Sequence, residues 1–296
     1  MKESENSNKK DSLKRDRLKE DWYSWYQNFD QTHTPEQRRE WYSNAAKAYR
    51  WARPRYPQSI LKTVAQQAKL HSDSHLLELG CGPGIATADL ATQGFSIQAV
   101  EPSPAACELA RRACQPYPKV TIANSTFENW PLPAQKFDTV LAATSFHWIS
   151  PDVACKKSAA ALKSDGFLIL LWATPPQPNL DILELMQPIY EQYNLGDIGK
   201  EQQRSKAYYL QSFDTFASLI GNSGYFETAA VKSVTHRSPY SIEKYIALLS
   251  TLSPYIALEP DTRSQLFNAI AQTLSEHTNK DLQTTHHFAY QVSPRT

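Results

Sequence analysis

Residues 76–86 restrict the fold of this chain more than any other stretch. They read Leu-Leu-Glu-Leu-Gly-Cys-Gly-Pro-Gly-Ile-Ala, an apolar run with one carboxylate, then glycines, then a helical pattern. The whole chain has nine glycines, and Gly80, Gly82 and Gly84 lie close together in this stretch. The order predicts a buried strand, a tight turn whose backbone a ligand can approach closely, and the start of a helix.

The segment that follows predicts a second strand that ends in an acidic residue. Residues 85–93 have a helical pattern that Gly94 ends, and residues 95–100 alternate as a strand up to Glu101. A carboxylate at this strand tip, about 20 residues after the first glycine, suits hydrogen bonds to ribose hydroxyls. A solvated strand end is the alternative interpretation of Glu101. Pro102 favours a helix start directly afterwards.

The motif from Glu78 to Gly84 resembles the first signature of class I S-adenosylmethionine-dependent methyltransferases. Its Gly-x-Gly-x-Gly spacing differs from the Gly-x-Gly-x-x-Gly pattern of dinucleotide sites, which makes a nicotinamide enzyme the weaker interpretation. The resemblance implies S-adenosylmethionine as the cofactor, with its amino-acid end at the glycine turn. The cofactor contacts that it implies in this region are Glu78, Gly80, Cys81, Gly82, Gly84, Glu101 and Pro102.

Later segments continue the alternation of strands and helices. Residues 137–143 and 167–172 are apolar strand patterns, and residues 164–166 between them predict a turn. The β-then-α units predict an α/β fold with a doubly wound parallel sheet. Residues 225–235 and 282–291 predict two closing strands, one antiparallel, as in the seven-stranded Rossmann-like sheet of the resembled family.

The chain divides into three parts by composition. Residues 1–20 are charged and nearly free of apolar side chains, which predicts a disordered tail. Residues 21–57 are rich in aromatics and predict a helical cover, over either the sheet edge or the cofactor pocket. Residues 58–296 predict the methyltransferase core, with helical cap insertions at about 176–220 and 241–277.

The end of the aromatic region contains a second motif. Residues 49–57 resemble the Tyr-x-x-x-Arg-Pro-x-Tyr-Pro segment that precedes the first core helix in a subgroup of small-molecule methyltransferases. In that subgroup the segment lies over the cofactor, which implies cofactor contacts from Tyr49 and Arg53. The planar guanidinium of Arg53 suits a carboxylate of cofactor or substrate, and a plain surface arginine is the alternative.

Two more strand tips are expected to reach the cofactor. In the resembled family, the loop corresponding to residues 124–133 borders the adenine. Positions 124 and 125 lack the acidic residue that many relatives carry. The contacts expected from this loop and from the tip of the fourth strand are Ser125, Thr126, Phe127, Ala143 and Thr144.

The candidate catalytic residue follows the fourth strand. The triplet Phe146-His147-Trp148 resembles that of methyltransferases related to trans-aconitate methyltransferase and similar carboxylate-methylating enzymes. His147 is expected at the pocket, where it would accept a proton or orient a substrate carboxylate, with Trp148 as a substrate contact. The alternative is a histidine that hydrogen-bonds a loop.

A weaker resemblance lies in the late helical insertion. Residues 250–255 are similar to a Thr-x-Ser element in the substrate cap of relatives, which implies substrate contacts from Thr251, Ser253 and Tyr255. A Ser-Pro pair is also a common helix break, and this is the alternative interpretation.

The resemblance implies methyl transfer to a small molecule. The sulfonium already activates the methyl group, so we expect no metal. The expected acceptor is a carboxylate or another metabolite oxygen; a carboxylate needs no general base, whereas a hydroxyl does. An RNA- or protein-directed methyltransferase is an alternative, which the net charge of +1 and the lack of an Asn-Pro-Pro-Tyr-like element disfavour. A non-catalytic S-adenosylmethionine-binding protein is another.

Cysteine usage and hydropathy suggest where the protein works. The chain has four cysteines without a Cys-x-x-Cys pair, which predicts free thiols. We found neither an apolar run of about 18 residues nor an apolar signal segment, so we expect a cytoplasmic protein with no membrane or nucleic-acid partner. The oligomeric state stays open.

Overall fold

The computed structural model describes residues 34–201, 204–278 and 281–296. The predicted tail at 1–20 and the start of the aromatic cover at 21–33 lie outside these residues. The described helices are α1 (Pro35–Ala52), α2 (Gln58–Gln67), α3 (Ile85–Ala91), α4 (Pro104–Cys114), α5 (Pro151–Ala161), α6 (Leu180–Gln192), α7 (Gly196–Glu201), α8 (Lys206–Asn222), α9 (Ile242–Leu249), α10 (Ser253–Ile256) and α11 (Pro260–His277).

The strands form one mixed sheet. They are β1 (His75–Leu79), β2 (Ser96–Glu101), β3 (Val120–Asn124), β4 (Phe137–Ala143), β5 (Leu162–Ala173), β6 (Gln177–Pro178), β7 (Lys232–Tyr240) and β8 (Leu282–Pro294). The strand order is β3-β2-β1-β4-β5-β8-β6, and β7 pairs with β8. β1 to β5 are parallel, and β8 is antiparallel to β5 and β7. The predicted doubly wound sheet is confirmed, and the two-residue β6 adds an eighth strand to the seven expected.

The strand order reverses beside β1, which pairs with β2 on one side and β4 on the other. Leu77 is opposite Gln98 in β2 and Val140 in β4. Open α/β sheets bind ligands outside the carboxyl ends of their strands at such a reversal. The glycine turn begins at this end of β1, so the topology places it at the expected ligand edge.

Apolar cores cover both faces of the sheet. Leu77 and Leu79 face a cluster that includes α5 and α8, whereas Leu76 faces a cluster that includes α2 and α3. This alternation follows from the two-residue period of a strand. A third cluster joins α6, α9, α10 and α11 into a helical cap, and it also includes Ala52 at the end of α1.

Two predicted boundaries are wrong. Residues 164–166 belong to β5 instead of a turn, because β5 bulges there: β4 advances from Phe137 to Thr139 while β5 advances from Leu162 to Phe167. The strand predicted at 225–235 begins only at Lys232. Phe226 instead makes an isolated bridge to Arg295 and is buried, so its apolar character serves the core and not a continuous ladder.

Two further expectations can be compared with the described residues. All four cysteines are free and buried, as predicted. Across residues 34–201, 204–278 and 281–296, none of the helices combines the length and apolar character that crossing a membrane requires.

Candidate functional site

A cavity of about 380 Å³ lies at the carboxyl ends of β1, β2 and β4. It is lined by most of the residues expected from the sequence. These are Tyr49, Arg53, Glu78, Gly80, Cys81, Gly82, Glu101, Pro102, Thr126, Phe127, Ala143, Thr144 and Trp148. Their contacts with a ligand stay predictions.

The glycine turn forms the floor of the cavity. Gly80 and Gly82 have φ values of +63° and +54°, in the left-handed region that favours glycine. A Cβ on Gly80 would come 2.8 Å from Cβ of Ser145, whereas a Cβ on Gly82 would meet no atom within 4 Å. Gly80 is therefore required by packing, while Gly82 leaves open space beside the cavity.

Gly84, which the sequence predicts as a cofactor contact, lies where two helices pack together. It is outside the cavity lining and precedes α3 with a φ of +77°. A Cβ at this position would come 2.9 Å from Cα of Ala110 in α4. Gly84 therefore allows α3 and α4 to pack closely beneath the turn.

Glu101 lies at the tip of β2 and is held by the glycine turn. Its Oε2 accepts a hydrogen bond from the Gly82 N–H at 2.9 Å, and its Oε1 accepts one from the Ser103 N–H at 2.8 Å. Burial raises the pKa of Glu101 to about 6, although these two hydrogen bonds oppose the shift. The carboxylate is thus fixed in orientation and has lone pairs left for hydroxyl donors.

Glu78 is the most unusual group of the cavity lining. It is 1% exposed, and neither carboxyl oxygen has a hydrogen-bond partner among the described residues. Burial raises its pKa to about 7, the neighbouring Thr87 hydroxyl opposes the shift, and the charge of Glu101 adds to it. A buried carboxyl group without a partner is costly, so its position points to a polar or cationic ligand group.

One stripe of α1 covers the cavity. Arg39, Tyr42, Ala46, Tyr49 and Arg53 line it and are spaced three or four residues apart, which places them on one helical face. Two aromatics of the predicted cover therefore reach the cavity on this stripe.

Polar contacts connect α1 to the glycine turn and to the cap. Ser43 Oγ lies 2.8 Å from Ser103 Oγ, and Arg50 donates to the Pro83 carbonyl at 3.1 Å. Arg53 donates from Nε to Thr251 Oγ1 at 2.8 Å and from Nη2 to the Thr251 carbonyl at 3.0 Å. These contacts fix the guanidinium of Arg53, whose Cζ also lies 4.8 Å from the Tyr49 ring centroid.

A strained residue shapes the tip of β4. Thr144 has a φ of +57°, which is rare for a β-branched residue. Its hydroxyl lies 2.6 Å from the Tyr56 hydroxyl and accepts a hydrogen bond from the Ala173 N–H at 3.0 Å. These contacts hold a turn that directs residues 143–145 to the cavity.

The structure does not bring His147 to the cavity. Its ring packs near Trp172 and Phe216, with centroid distances of 5.7 and 6.4 Å, while the adjacent Trp148 lines the cavity. Burial, together with the charge of Arg53, lowers the pKa of His147 to about 4, so the imidazole is neutral at pH 7. The catalytic role of His147 stays a prediction that its position does not support.

Four other expected residues also lie outside the cavity lining. Thr251 holds Arg53, as described above. Tyr255 is buried in the cap with its hydroxyl 2.7 Å from that of Tyr190. Ser253 begins α10 next to it. Ser125 turns its hydroxyl to the Thr126 carbonyl at 3.0 Å.

Sequence reasoning missed several parts of the lining, among them Arg39, Ser103, Glu128, Asn129 and Ile149. Ser103 carried a signal, since a serine before Pro104 is a typical helix cap, and its hydroxyl accepts from the Ala106 N–H. Arg39 reaches the cavity through the packing of α1, Glu128 and Asn129 through the loop after β3, and Ile149 through the segment after β4. No local pattern indicates these positions.

Comparison with known proteins finds similarity in the core of the chain. The model of a family described as "Methyltransferase domain" matches residues 77–170. An uncharacterised methyltransferase of Mycobacterium bovis is 32% identical over 133 residues, which are 45% of this chain and 52% of that protein. The chain thus spans about half the length of such relatives.

Two further matches extend over more of the chain. An uncharacterised methyltransferase of Schizosaccharomyces pombe is 24% identical over 237 residues, covering 79% of this chain and 88% of that protein. A solved structure assigned as a type II methyltransferase from Anaeromyxobacter dehalogenans superposes with a TM-score of 0.55 at 20% identity. It covers 81% of this chain and 97% of that one, and it shows that the fold is shared. Residues 77–170 of the chain therefore resemble a methyltransferase domain, and the chain shares the fold of the solved structure.

Proposed function

We propose that this chain transfers a methyl group from S-adenosylmethionine to a small molecule, through a carboxylate or another metabolite oxygen. One observation carries the proposal: the Glu101 carboxylate is held at the tip of β2 by two backbone N–H groups, beside a turn whose Gly82 leaves open space. Within the class, the motifs at residues 49–57 and 146–148 favour the subgroup that resembles trans-aconitate methyltransferase.

The residues of the cavity fit this cofactor. The fixed carboxylate of Glu101 suits two ribose hydroxyls, and the turn at Gly82 leaves room for the amino-acid end. The unpartnered carboxyl group of Glu78 suits the ammonium of that end. Thr126 and Phe127 line the remaining side, where the resemblance implies the adenine. When bound, the cofactor supplies a methyl group activated by its sulfonium.

The lining residues then act by orientation and by exclusion of water. Holding the reacting groups in line in a closed cavity can contribute roughly 7–11 kcal/mol to lowering the barrier. Among the described residues, no histidine lines the cavity, so a neutral hydroxyl would find no imidazole base there. This favours an acceptor that is already anionic, such as a carboxylate.

The surroundings favour a small acceptor. The α1 stripe lies over the cavity, and α9 packs against α1 from the cap side. Two arginines, Arg39 and Arg53, line the cavity beside the tyrosines of the stripe and provide positive charge for an acidic acceptor. A folded RNA or protein substrate would need the cap and α1 to move apart.

Calorimetric titration with S-adenosylhomocysteine tests cofactor binding, with NAD as the control ligand. We expect the wild type to bind S-adenosylhomocysteine and not NAD. Glu101→Ala should weaken binding by about tenfold or more, because it removes charge-assisted hydrogen bonds. Glu276→Gln is the matched control, since Glu276 is an exposed glutamate on α11. No binding by the wild type would contradict the proposal.

A transfer assay with S-adenosylmethionine that is labelled in its methyl group then identifies the acceptor. A panel of small mono-, di- and tricarboxylic acids is compared with total RNA and with a protein extract. Product in the acid panel supports the proposed acceptor class. Product only in RNA or protein would show a macromolecular substrate. Stoichiometric cofactor binding without product in any sample would favour a binding protein.

A further inference from the structure

The loop after β3, which forms one wall of the cavity, is held by a single lysine of α5. Thr126, Phe127, Glu128 and Asn129 of this loop line the cavity. Lys157 donates from Nζ to three backbone carbonyls, those of Phe127 at 2.6 Å, Glu128 at 2.9 Å and Trp130 at 2.7 Å. All three N–H donors of the ammonium therefore bind carbonyls between residues 127 and 130.

Contacts with side chains reinforce this arrangement. The Lys157 Nζ lies 5.2 Å from the centroid of the Phe127 ring, which is buried at 4% exposure. On the other side of the loop, Glu128 Oε1 accepts a hydrogen bond from the Ser150 N–H at 3.0 Å, just before α5. The loop segment is thus tied both to Lys157 in the middle of α5 and to Ser150 just before this helix.

The chemistry explains why a lysine is suited to this position. Three carbonyls that converge on one point repel each other unless a cation lies between them, and hydrogen bonds from a charged donor are about twice as strong as neutral ones. Partial burial lowers the pKa of Lys157, and the charge of Glu128 opposes the shift. Without the ammonium, the three carbonyls would turn away and the peptide planes of residues 126–130 would rotate.

We infer that Lys157 is a positioning residue for cofactor recognition: it holds the loop from Thr126 to Trp130 so that the loop backbone reads the purine base of the cofactor. Lys157 does not line the cavity and acts through the loop. The inference rests on the proposed function, because it assumes that an adenine-bearing cofactor binds in this cavity. It assigns base selectivity to a residue of α5 that lies about 30 positions from the loop in sequence.

The test compares two ligands that differ only in the base. S-Adenosylhomocysteine and S-inosylhomocysteine, in which an oxygen replaces the adenine amino group, are titrated into the wild type, Lys157→Met, Lys157→Arg and Lys156→Met. Lys157→Met keeps the length of the side chain but removes its donors. Lys156 is the exposed neighbour on the same helix and serves as the matched control. Thermal unfolding of each variant is recorded in parallel.

We expect Lys157→Met to bind S-adenosylhomocysteine about tenfold more weakly and to lose most of the preference for adenine over hypoxanthine. Lys157→Arg should restore part of the preference because it keeps charge and donors, and Lys156→Met should resemble the wild type. A purely structural role would lower the unfolding temperature and weaken both ligands equally, and this result would overturn the inference.

The remaining outcomes distinguish a failure of the inference about Lys157 from a failure of the proposed function. If the wild type binds S-adenosylhomocysteine and Lys157→Met binds both ligands as the wild type does, the inference alone is wrong. If the wild type binds neither ligand, the proposed function fails and the inference fails with it. If Lys157→Met does not fold, Lys157→Gln, which keeps a neutral amide donor, is measured against the same criterion of base preference.

Discussion

The glycines of the glycine turn differ in how much space lies beside their Cα atoms. Gly80 faces Ser145 so closely that no side chain fits, whereas Gly82 borders open space. Two carboxyl groups lie beside this turn, Glu101 held by backbone donors and Glu78 without a hydrogen-bond partner among the described residues. These differences lead to distinct expectations for substitutions only two residues apart.

Gly80→Ala and Gly82→Ala should separate stability from ligand binding. Gly80→Ala combines left-handed strain with a clash at Ser145 and should cost roughly 2–4 kcal/mol of unfolding free energy. Gly82→Ala adds only the strain, about 1–2 kcal/mol, but its methyl group enters the open space and should weaken S-adenosylhomocysteine binding about tenfold. Denaturant unfolding and calorimetry measure the two effects. Wild-type affinity of Gly82→Ala would show that the ligand does not approach this turn.

Glu78 should make the ligand-free protein less stable as the pH rises. Its pKa is about 7 in the folded state against 4.5 for the ordinary group, so the folded protein binds more protons between these values. The unfolding free energy should therefore fall as the pH rises from about 4.5 to about 7. The stability that the protonated Glu78 side chain contributes is fully present below about pH 4.5 and is lost above about pH 7. Glu78→Gln should be more stable than the wild type by an amount that grows to the order of 3 kcal/mol at pH 7.5.

The difference between the two unfolding curves isolates this contribution. Glu101 has a raised pKa of about 6 and adds a dependence of the same sign, but it is present in both proteins. Denaturant unfolding at intervals from pH 4 to pH 8 provides the comparison, with Glu276→Gln as the control. A difference that does not change with pH would mean that the Glu78 carboxyl group is already ionised in the folded ligand-free protein.

Among the secondary-structure elements, α1 is the one whose attachment controls access to the cavity. Its buried apolar side chains are the alanines Ala45, Ala46 and Ala52, which bury little area compared with a core helix. Its amino-terminal half is held to the sheet region by the Ser43–Ser103 contact, while Ala52 at its carboxyl end belongs to the cap core. This asymmetry favours opening of α1 from its amino-terminal end.

A disulfide between α1 and the loop after β2 should lock the cavity. The Ser43 and Ser103 hydroxyl oxygens are 2.8 Å apart, which makes the pair a candidate for Ser43→Cys and Ser103→Cys. When the bond is closed around bound S-adenosylhomocysteine, dissociation should slow by about tenfold or more, because α1 cannot lift. Stopped-flow tryptophan fluorescence measures the rate. The single variants and the reduced double variant are the controls, and an unchanged rate in the oxidised protein would exclude α1 as the gate.

At the scale of the whole protein, the carboxyl end of α1 connects the cap to the sheet region. Besides the pair of hydrogen bonds from Arg53 to Thr251, the Tyr240 hydroxyl donates to the Ala52 carbonyl at 2.6 Å. Ala52 is fully buried in the cap core, and the α1 stripe covers the cavity of the sheet. The cap and the sheet region therefore share α1, and Tyr240 of β7 and Leu282 of β8 also belong to the cap cluster.

Cofactor binding should stabilise the cap and the sheet together. S-Adenosylhomocysteine at 100 times its Kd should raise the unfolding free energy by about 2.7 kcal/mol through mass action. Scanning calorimetry should show one transition that shifts to higher temperature, since α1 lines the cavity and also contributes Ala52 to the cap core. Two transitions, of which only one shifts, would show that the cap unfolds independently of the cavity.

Local patterns in the sequence were sufficient to predict the strand, turn and helix around Gly80 and the acidic tip of β2. Residues that are adjacent in sequence determine each of these features: the apolar run buried on both faces, the glycines in the left-handed region and the carboxylate at a strand end. The doubly wound sheet follows from the order of these units. The two wrong boundaries, at residues 164–166 and 225–231, lie where the register with β4 shifts and before the pairing of β7 with β8 begins.

The walls of the cavity depended instead on packing between distant segments. Arg53 meets Thr251 across 198 positions of the chain, and Lys157 meets the carbonyl of Phe127 across 30. His147 follows a strand tip that the sequence predicts at the ligand edge. In the structure it belongs to a short 3-10 helix, Phe146–Trp148, and its ring lies near Trp172 and Phe216 instead of lining the cavity. Periodicity and turn chemistry extend over a few residues, so they determine where strands and turns begin. Which side chains meet across the cavity is set by how the helices pack on the finished sheet.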